Sequence, residues 1–181
     1  MRMKKWILLL LIGTLILVGM TGCTDSGKGS ETESQALDYP VKLYFASTVF
    51  VMEGQDGENG ELMSPMESTV SAVPGGQYIA ALNALKLPPE DEAYSTVISE
   101  NIHFLNAEVD NSGVARVDIS SENLDGGSLT EILFVDQVVY TLTQSFEEVK
   151  SVQFLVDGKE AESLMGHVET SVPIEAVGND K

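Results

Sequence analysis

Cysteine is almost absent from this chain of 181 residues, in which Cys23 is the only one. A single cysteine excludes an intrachain disulfide and a zinc site built from several thiolates. The sequence also lacks the motifs of serine hydrolases, zinc peptidases, P-loop proteins and dinucleotide-binding proteins. We interpret the two histidines, His103 and His167, as structural or solvent-exposed side chains. The sequence therefore predicts no catalytic residue, no metal ligand and no cofactor.

Positive charge is also scarce, since ten Lys and Arg stand against 28 Asp and Glu. Three of the ten cations precede Cys23 and every acidic residue follows it, which leaves a net charge of −21 from Cys23 onward. Such a field repels nucleic acid and anionic lipid headgroups, so we predict no nucleic-acid binding. Two interpretations of the negative surface stay open, a soluble self-repelling surface and a basic partner.

Long apolar runs are missing except at residues 6–18. Arg2, Lys4 and Lys5 precede that run and small residues follow it, which is the order of a secretory signal. A helix of this length reaches about 20 Å, whereas a bilayer core measures about 30 Å. We therefore predict a signal peptide at residues 1–22, with an uncleaved signal anchor as the alternative. Both interpretations place the following domain outside the cytoplasm.

The end of this signal resembles a bacterial lipobox, with Gly22 and Cys23 as its last two residues. The resemblance implies that Cys23 carries a diacylglyceryl group and that cleavage falls between Gly22 and Cys23. Acylated chains hold a protein stably at a membrane when two of them insert. We therefore predict a lipid-anchored protein on the extracytoplasmic face of the cell membrane. Residues 23–36 are polar and rich in Ser and Gly, and predict a flexible tether with a reach of about 20 Å.

One folded domain is predicted at residues 37–174, followed by a polar tail at 175–181. Alternation at residues 41–45 predicts a strand, and the next segment with regular apolar spacing predicts a helix that ends before two prolines. A hairpin is predicted at 102–119, with its turn at 110–113. The helix residues are Tyr78, Ala81, Leu82 and Leu85, and the prolines are Pro88 and Pro89. The acidic loop 56–61 is either a calcium site or a plain loop.

The clearest predicted element is a long helix that begins at Ser128 with a capping box to Glu131. Its apolar stripe consists of Ile132, Val135, Val139, Leu142, Phe146 and Val149. This stripe packs on the domain's own sheet or, alternatively, on a coiled-coil partner. A strand at 152–156 follows. The order of elements predicts an α+β fold in which a mixed, mostly antiparallel sheet has two helices packed on one face.

An ordered set of segments resembles the GerMN family, the sporulation and spore germination domain. These segments are residues 41–45, 80–85, 114–121, 138–144, 152–159, 164–167 and 171–173. The resemblance implies a small domain shaped like the ring-building motifs of secretion assemblies. It also implies an extracytoplasmic lipoprotein of spore-forming bacteria and a non-catalytic interaction module.

Two classes of function follow from the sequence and the resemblance together. In the first, a membrane-anchored, non-catalytic GerMN-like domain docks on a protein complex of the envelope, in sporulation or germination. In the alternative, the protein is an enzyme or an accessory in peptidoglycan turnover. A small-ligand or ion-binding lipoprotein is a third hypothesis. The sequence predicts neither the identity of the partner nor the oligomeric state.

Overall fold

The computed structural model describes residues 35–55 and 62–177. Within these ranges the chain forms seven strands and three helices. In chain order they are β1 (Leu37–Ser47), α1 (Thr48–Glu53), β2 (Met63–Ala72), α2 (Gln77–Ala84), β3 (Tyr94–Ser95), β4 (Phe104–Val109), β5 (Val114–Ile119), α3 (Ser128–Ser145), β6 (Ser151–Val156) and β7 (Lys159–Glu160). The predicted signal peptide, Gly22, Cys23 and loop 56–61 lie outside the described residues. Among the helices just given, none is long and apolar enough to cross a membrane.

The strands form two sheets, one of order β2-β1-β3 and one of order β4-β5-β6-β7. All strand pairs are antiparallel except β5 with β6, so the predicted α+β class with mostly antiparallel pairing is confirmed. The sequence predicted a single sheet and two helices, whereas the described residues contain two sheets and a further short helix, α1. In the first sheet, side chains of α3 occupy the edge of β1 away from β2 at residues 42–44, as described below, and β3 pairs with the end of that edge.

The predicted local elements are present, with small shifts at their ends. Val41, Leu43 and Phe45 of β1 are buried and alternate with more exposed neighbours over most of that stretch. Strand β4 begins at Phe104, two residues after the predicted start, and carries an irregularity before Asn106. Strand β6 differs from the predicted alternation, because its first four residues are all buried.

The turn between β4 and β5 depends on two residues of the predicted turn sequence. An Asp110 carboxylate oxygen accepts hydrogen bonds from the backbone N–H groups of Ser112, at 2.8 Å, and Val114, at 3.2 Å. Gly113 has a φ of +91°, and a Cβ there would lie 2.8 Å from the carbonyl oxygen of Glu148. Only glycine combines this left-handed backbone with so close a contact.

Helix α3 connects the parallel strands β5 and β6 and lies against the common core. The predicted stripe is wrong at Ile132, whose side chain is 46% exposed, while its neighbours Leu133 and Phe134 are buried. The helix ends at Ser145, so Phe146 and Val149 are buried beyond its last residue. Because α3 contacts both sheets, its buried surface is broader than a single stripe.

Candidate interaction surface

The start of α3 differs from the predicted capping box. The N-cap residue is Gly127, Ser128 lies inside the helix, and no side chain caps the first turn. The carboxylate of Glu131 is fully buried and does not return to the helix N-terminus. The prediction failed because Glu131 has other hydrogen-bond donors, which come from a segment more than thirty residues away in the sequence.

Glu131 organises the loop that follows β7. Its carboxylate accepts four hydrogen bonds of 2.7 to 2.8 Å, from Ser163 Oγ and from the backbone N–H groups of Leu164, Met165 and His167. Burial raises the pKa of Glu131, but these hydrogen bonds together outweigh burial and lower the pKa below its ordinary value. The ionised carboxylate therefore stabilises the loop at residues 163–167 through hydrogen bonds, and we assign it a structural role.

The two histidines lie apart from any cluster of metal-binding side chains within the described ranges. His103 is exposed and its carbonyl oxygen accepts a hydrogen bond from the Ser120 N–H at 2.9 Å. His167 is also exposed, and its backbone N–H, rather than its imidazole ring, donates the hydrogen bond to the Glu131 carboxylate. Both positions agree with the interpretation of the histidines as structural or solvent-exposed.

The edge of β1 that faces away from β2 is shared by α3, at residues 42–44, and by the short strand β3, at Ala46 and Ser47. Val41 and Leu43 pair with β2, so the peptide groups of Lys42 and Tyr44 point to the opposite edge. Ser145 Oγ accepts the Lys42 N–H at 2.9 Å and donates to the Lys42 carbonyl oxygen at 3.2 Å. Thr141 Oγ1 accepts the N–H of Tyr44 at 3.0 Å. Helix side chains thus replace a neighbouring strand at residues 42–44 of this edge.

Gln137 completes this closure. Its Nε2 donates to the Tyr44 carbonyl oxygen and its Oε1 accepts the Val97 N–H, both at 2.9 Å. Gln137, Thr141 and Ser145 are four residues apart, so they lie on one face of α3. We call these three residues the α3 seal. Sequence reasoning missed it, although a line of polar residues at this spacing inside an apolar helix was the available signal.

The edge of β2 that faces away from β1 is unpaired. β2 is the last strand of its sheet, and within residues 35–55 and 62–177 no other strand pairs with it. Residues 64, 66, 68 and 70 direct their peptide groups to β1. The outward positions include four exposed residues, Pro65, Glu67, Thr69 and Ser71, which we call the β2 edge.

The β2 edge is open over part of its length only. Pro65 has no N–H group with which to bind a further strand, and an outward edge position is where proline usually occurs in a sheet. Glu67 adds a charge, which disfavours non-specific strand pairing. Thr69 and Ser71 carry outward N–H and C=O groups beyond these two residues. An extended segment could therefore pair with the second half of β2 and not with its start.

Where α3 lies along β1, a tyrosine of the strand meets a tyrosine of the helix. The rings of Tyr44 and Tyr140 lie 5.3 Å apart, and the Tyr140 hydroxyl donates to the Val177 carbonyl oxygen at 2.9 Å. Burial raises the pKa of both tyrosines. A shallow cleft of about 190 Å³ lies on this side, lined by Pro40, Val41, Lys42, Glu67, Gln144 and Ser145. Polar groups and aromatic rings thus meet where α3 lies along β1.

Comparison with known proteins places the chain in a family. A family model described as Germane, sporulation and spore germination, matches residues 42–162. This chain belongs to the Germane family. The Germane match includes the α3 seal, the β2 edge and Glu131, and it ends just before the loop that Glu131 holds. No curated protein matches the chain.

Solved structures resemble this Germane chain at low sequence identity. The first GerMN domain of the sporulation protein GerM from Bacillus subtilis is 20% identical to this chain, with a TM-score of 0.54. The match covers 77% of this chain and 95% of that domain. The tandem GerMN domains of the same protein are 19% identical and cover 88% of this chain, with a TM-score of 0.51. The match covers 48% of that tandem structure. These likenesses show that the fold is that of a GerMN domain.

A third structure, a candidate lipoprotein from Clostridium perfringens, is 18% identical to this chain. The match covers 76% of this chain and 87% of that one, with a TM-score of 0.49.

Proposed function

We propose that this protein is a lipid-anchored, extracytoplasmic lipoprotein whose single Germane domain, residues 37–174, is a non-catalytic protein-interaction module in sporulation or germination. The family match supports the process, since its description is sporulation and spore germination. The lipobox-like residues 20–23 support the anchor, with the acyl groups on Cys23. The strongly negative charge supports a protein partner over nucleic acid or an anionic membrane surface.

The single observation that carries the interaction role is the β2 edge. Proteins bind extended peptides by adding a strand to an exposed sheet edge, where main-chain hydrogen bonds supply much of the affinity. The α3 seal and β3 cover the other side of β1, whereas within residues 35–55 and 62–177 no strand covers the outer edge of β2. The proposed module therefore binds an extended segment of an envelope protein along Thr69 and Ser71.

Site-specific crosslinking in the native envelope tests this role. A photo-crosslinking residue at Glu67 in the full chain is expected to label a protein, and Thr69→Pro is expected to abolish that product. Proline at position 69 removes an outward N–H and no bond to β1, so the fold is retained. The same crosslinker at the exposed Glu108 of β4 is the control, because it lies on the other sheet. Equal labelling from both sites would contradict a specific role for β2.

The anchor has a separate test. Cys23→Ala is expected to lose metabolic lipid labelling and to leave the membrane fraction. Its continued presence there would support an uncleaved signal anchor instead. For the non-catalytic part, the purified domain is expected to release no soluble fragments from peptidoglycan without added hydrolase. Release of such fragments would favour the cell-wall enzyme hypothesis.

A further inference from the structure

Helix α1 is an apolar helix that the domain buries only in part. Its six residues include Val49, Phe50, Val51 and Met52, yet none of the six is buried. Met52 is 77% exposed and Val49 is 43% exposed. Leu62, whose carbonyl oxygen accepts the Ser47 N–H just before α1, is 45% exposed. We call Val49, Met52 and Leu62 the α1 knob. A short amphipathic helix ordinarily buries its apolar side against its own core, as the half-buried Phe50 and Val51 do in part, whereas the α1 knob remains exposed.

Backbone hydrogen bonds fix α1 in place without full burial. The Thr48 N–H donates to the carbonyl oxygen of Ala93 at 2.9 Å, and the Thr48 hydroxyl donates to the carbonyl oxygen of Glu92 at 3.0 Å. At the other end Gly54, with a φ of +66°, donates its N–H to the Phe50 carbonyl oxygen at 2.9 Å. These hydrogen bonds hold both ends of α1, while Val49 and Met52 remain exposed to solvent.

Acidic residues flank the α1 knob at the end of α1 and on the segment that Thr48 binds. Glu53 ends the helix, and the exposed residues Glu90, Asp91 and Glu92 lead into the segment that Thr48 binds. The sequence contains no Lys or Arg between Lys42 and Lys86. The surface therefore has an apolar centre and a negative rim.

We propose that the α1 knob inserts into an apolar cleft of a partner protein whose rim carries lysines or arginines. The inference rests on the proposed interaction role but uses a surface other than the β2 edge. A positive rim complements the acidic one, which favours encounter and orientation. A second copy of this chain would bring a like-charged rim, and an anionic lipid surface would be repelled. Methionine at the centre suits such a contact, since its flexible side chain adapts to irregular pockets.

The position of α1 agrees with this proposal. The predicted tether joins the domain at Leu37, the first residue of β1, and α1 follows the last residue of that strand. A strand of 11 residues spans roughly 35 Å at about 3.3 Å per residue. The α1 knob therefore lies at the end of β1 opposite the attachment of the tether.

Crosslinking from a neutral neighbour tests the inference in the native envelope. A photo-crosslinking residue at the exposed Gln55 in the full chain is expected to label a partner segment with apolar residues and adjacent lysines or arginines. Met52→Glu is expected to reduce the product about tenfold or more, because it places a charge in the buried centre of the contact. Leu105→Glu, an equally apolar exposed site on β4, is the matched control and is expected to leave the product unchanged.

Charge reversal tests the chemistry of the partner. Glu90→Lys and Glu92→Lys together are expected to reduce the Gln55 product about tenfold, and added salt is expected to weaken the wild-type product. All these variants are expected to melt at the wild-type temperature, since the substituted residues are exposed. Thr69→Pro is expected to leave the Gln55 product intact.

The proposal would be overturned if the Gln55 product contained a second copy of this chain, a lipid, or a segment without basic residues. It would also be overturned if charge reversal left the amount of the Gln55 product unchanged. If Gln55 gives no product while Glu67 still does, this inference fails and the proposed function stands. If neither site gives a protein product, both fail.

Discussion

The paired strands β1 and β2 have outer edges that differ, since α3 covers the edge of β1 at residues 42–44 and no strand of the described residues covers that of β2. On the α3 side, Gln137, Thr141 and Ser145 bind the peptide groups of Lys42 and Tyr44. On the other side, Thr69 and Ser71 direct their peptide groups to solvent. A buried peptide group without a partner costs about 1–3 kcal/mol, whereas an exposed one binds water. The α3 side must therefore be closed for the domain to fold, and the β2 side is free to remain open for a partner.

The largest expected effect is on the α3 side, at Glu131. Glu131→Ala removes a fully buried carboxylate and leaves the buried Leu164 N–H, two further backbone N–H groups and the Ser163 hydroxyl without their acceptor. We expect the free energy of unfolding to fall by roughly 3–5 kcal/mol, measured by urea denaturation. Alanine at the exposed Glu122 is the control and is expected to change it by less than about 0.5 kcal/mol. Equal effects of the two substitutions would contradict a structural role for Glu131.

The pH dependence of this effect has a defined sign. The pKa of Glu131 is lowered in the folded protein, so its contribution to stability is complete above the ordinary value of 4.5. The contribution is lost as the pH falls through the lower folded-state pKa. The stability difference between wild type and Glu131→Ala is therefore expected to shrink on acidification below 4.5. A difference that grows on acidification would mean that burial, rather than the hydrogen bonds, controls this carboxylate.

Two adjacent prolines test the comparison of the edges directly. Ser68 directs its N–H to Val41 of β1, whereas Thr69 directs its N–H outward. We expect Ser68→Pro to lower the free energy of unfolding by about 3 kcal/mol, because it removes a ladder hydrogen bond. Thr69→Pro is expected to cost less than about 1 kcal/mol, since the chain already holds Pro65 at an equivalent outward position. The measurement is urea denaturation of both variants, and equal losses would show that both edges of β2 are occupied.

The alternating strands, the second helix and the hairpin turn were predictable because neighbouring residues determine them. Val41, Leu43 and Phe45 alternate, and Asp110 and Gly113 form their turn with local contacts. The α+β class and the family followed from the same segments. Local patterns therefore gave the elements and their order.

Contacts between distant residues could not be predicted in this way. Glu131 fits a capping box by spacing alone, yet its partners lie at 163–167, where four donors converge on one carboxylate. The closure of β1 at residues 42–44 was missed for the same reason, because it depends on Gln137 and Thr141 reaching a strand more than ninety residues away. The single-sheet prediction was wrong, and the open edge of β2 was missed, because strand pairing is a property of the whole sheet.

A smaller effect is expected where the α3 seal is most buried. Gln137→Leu preserves volume but removes the partners of the Val97 N–H and the Tyr44 carbonyl oxygen. We expect a loss of about 2–3 kcal/mol in the free energy of unfolding, measured by urea denaturation. Gln144→Leu is the matched control, because that glutamine lies on α3 but is exposed. If the two variants lose the same stability, the seal at Gln137 is not required.

The smallest effect is expected at the outer end of the α3 seal. Ser145 is half-buried and lies beside the shallow cleft, so water can replace its hydroxyl at Lys42. Ser145→Ala is therefore expected to cost only about 0.5–1 kcal/mol, and Ser145→Thr, which keeps the hydroxyl, is expected to restore most of it. The gradient from Gln137 to Ser145 follows burial, because a peptide group needs an internal partner only where water is excluded. If Ser145→Ala cost as much as Gln137→Leu, exposure would not explain why the domain tolerates its open edge at β2.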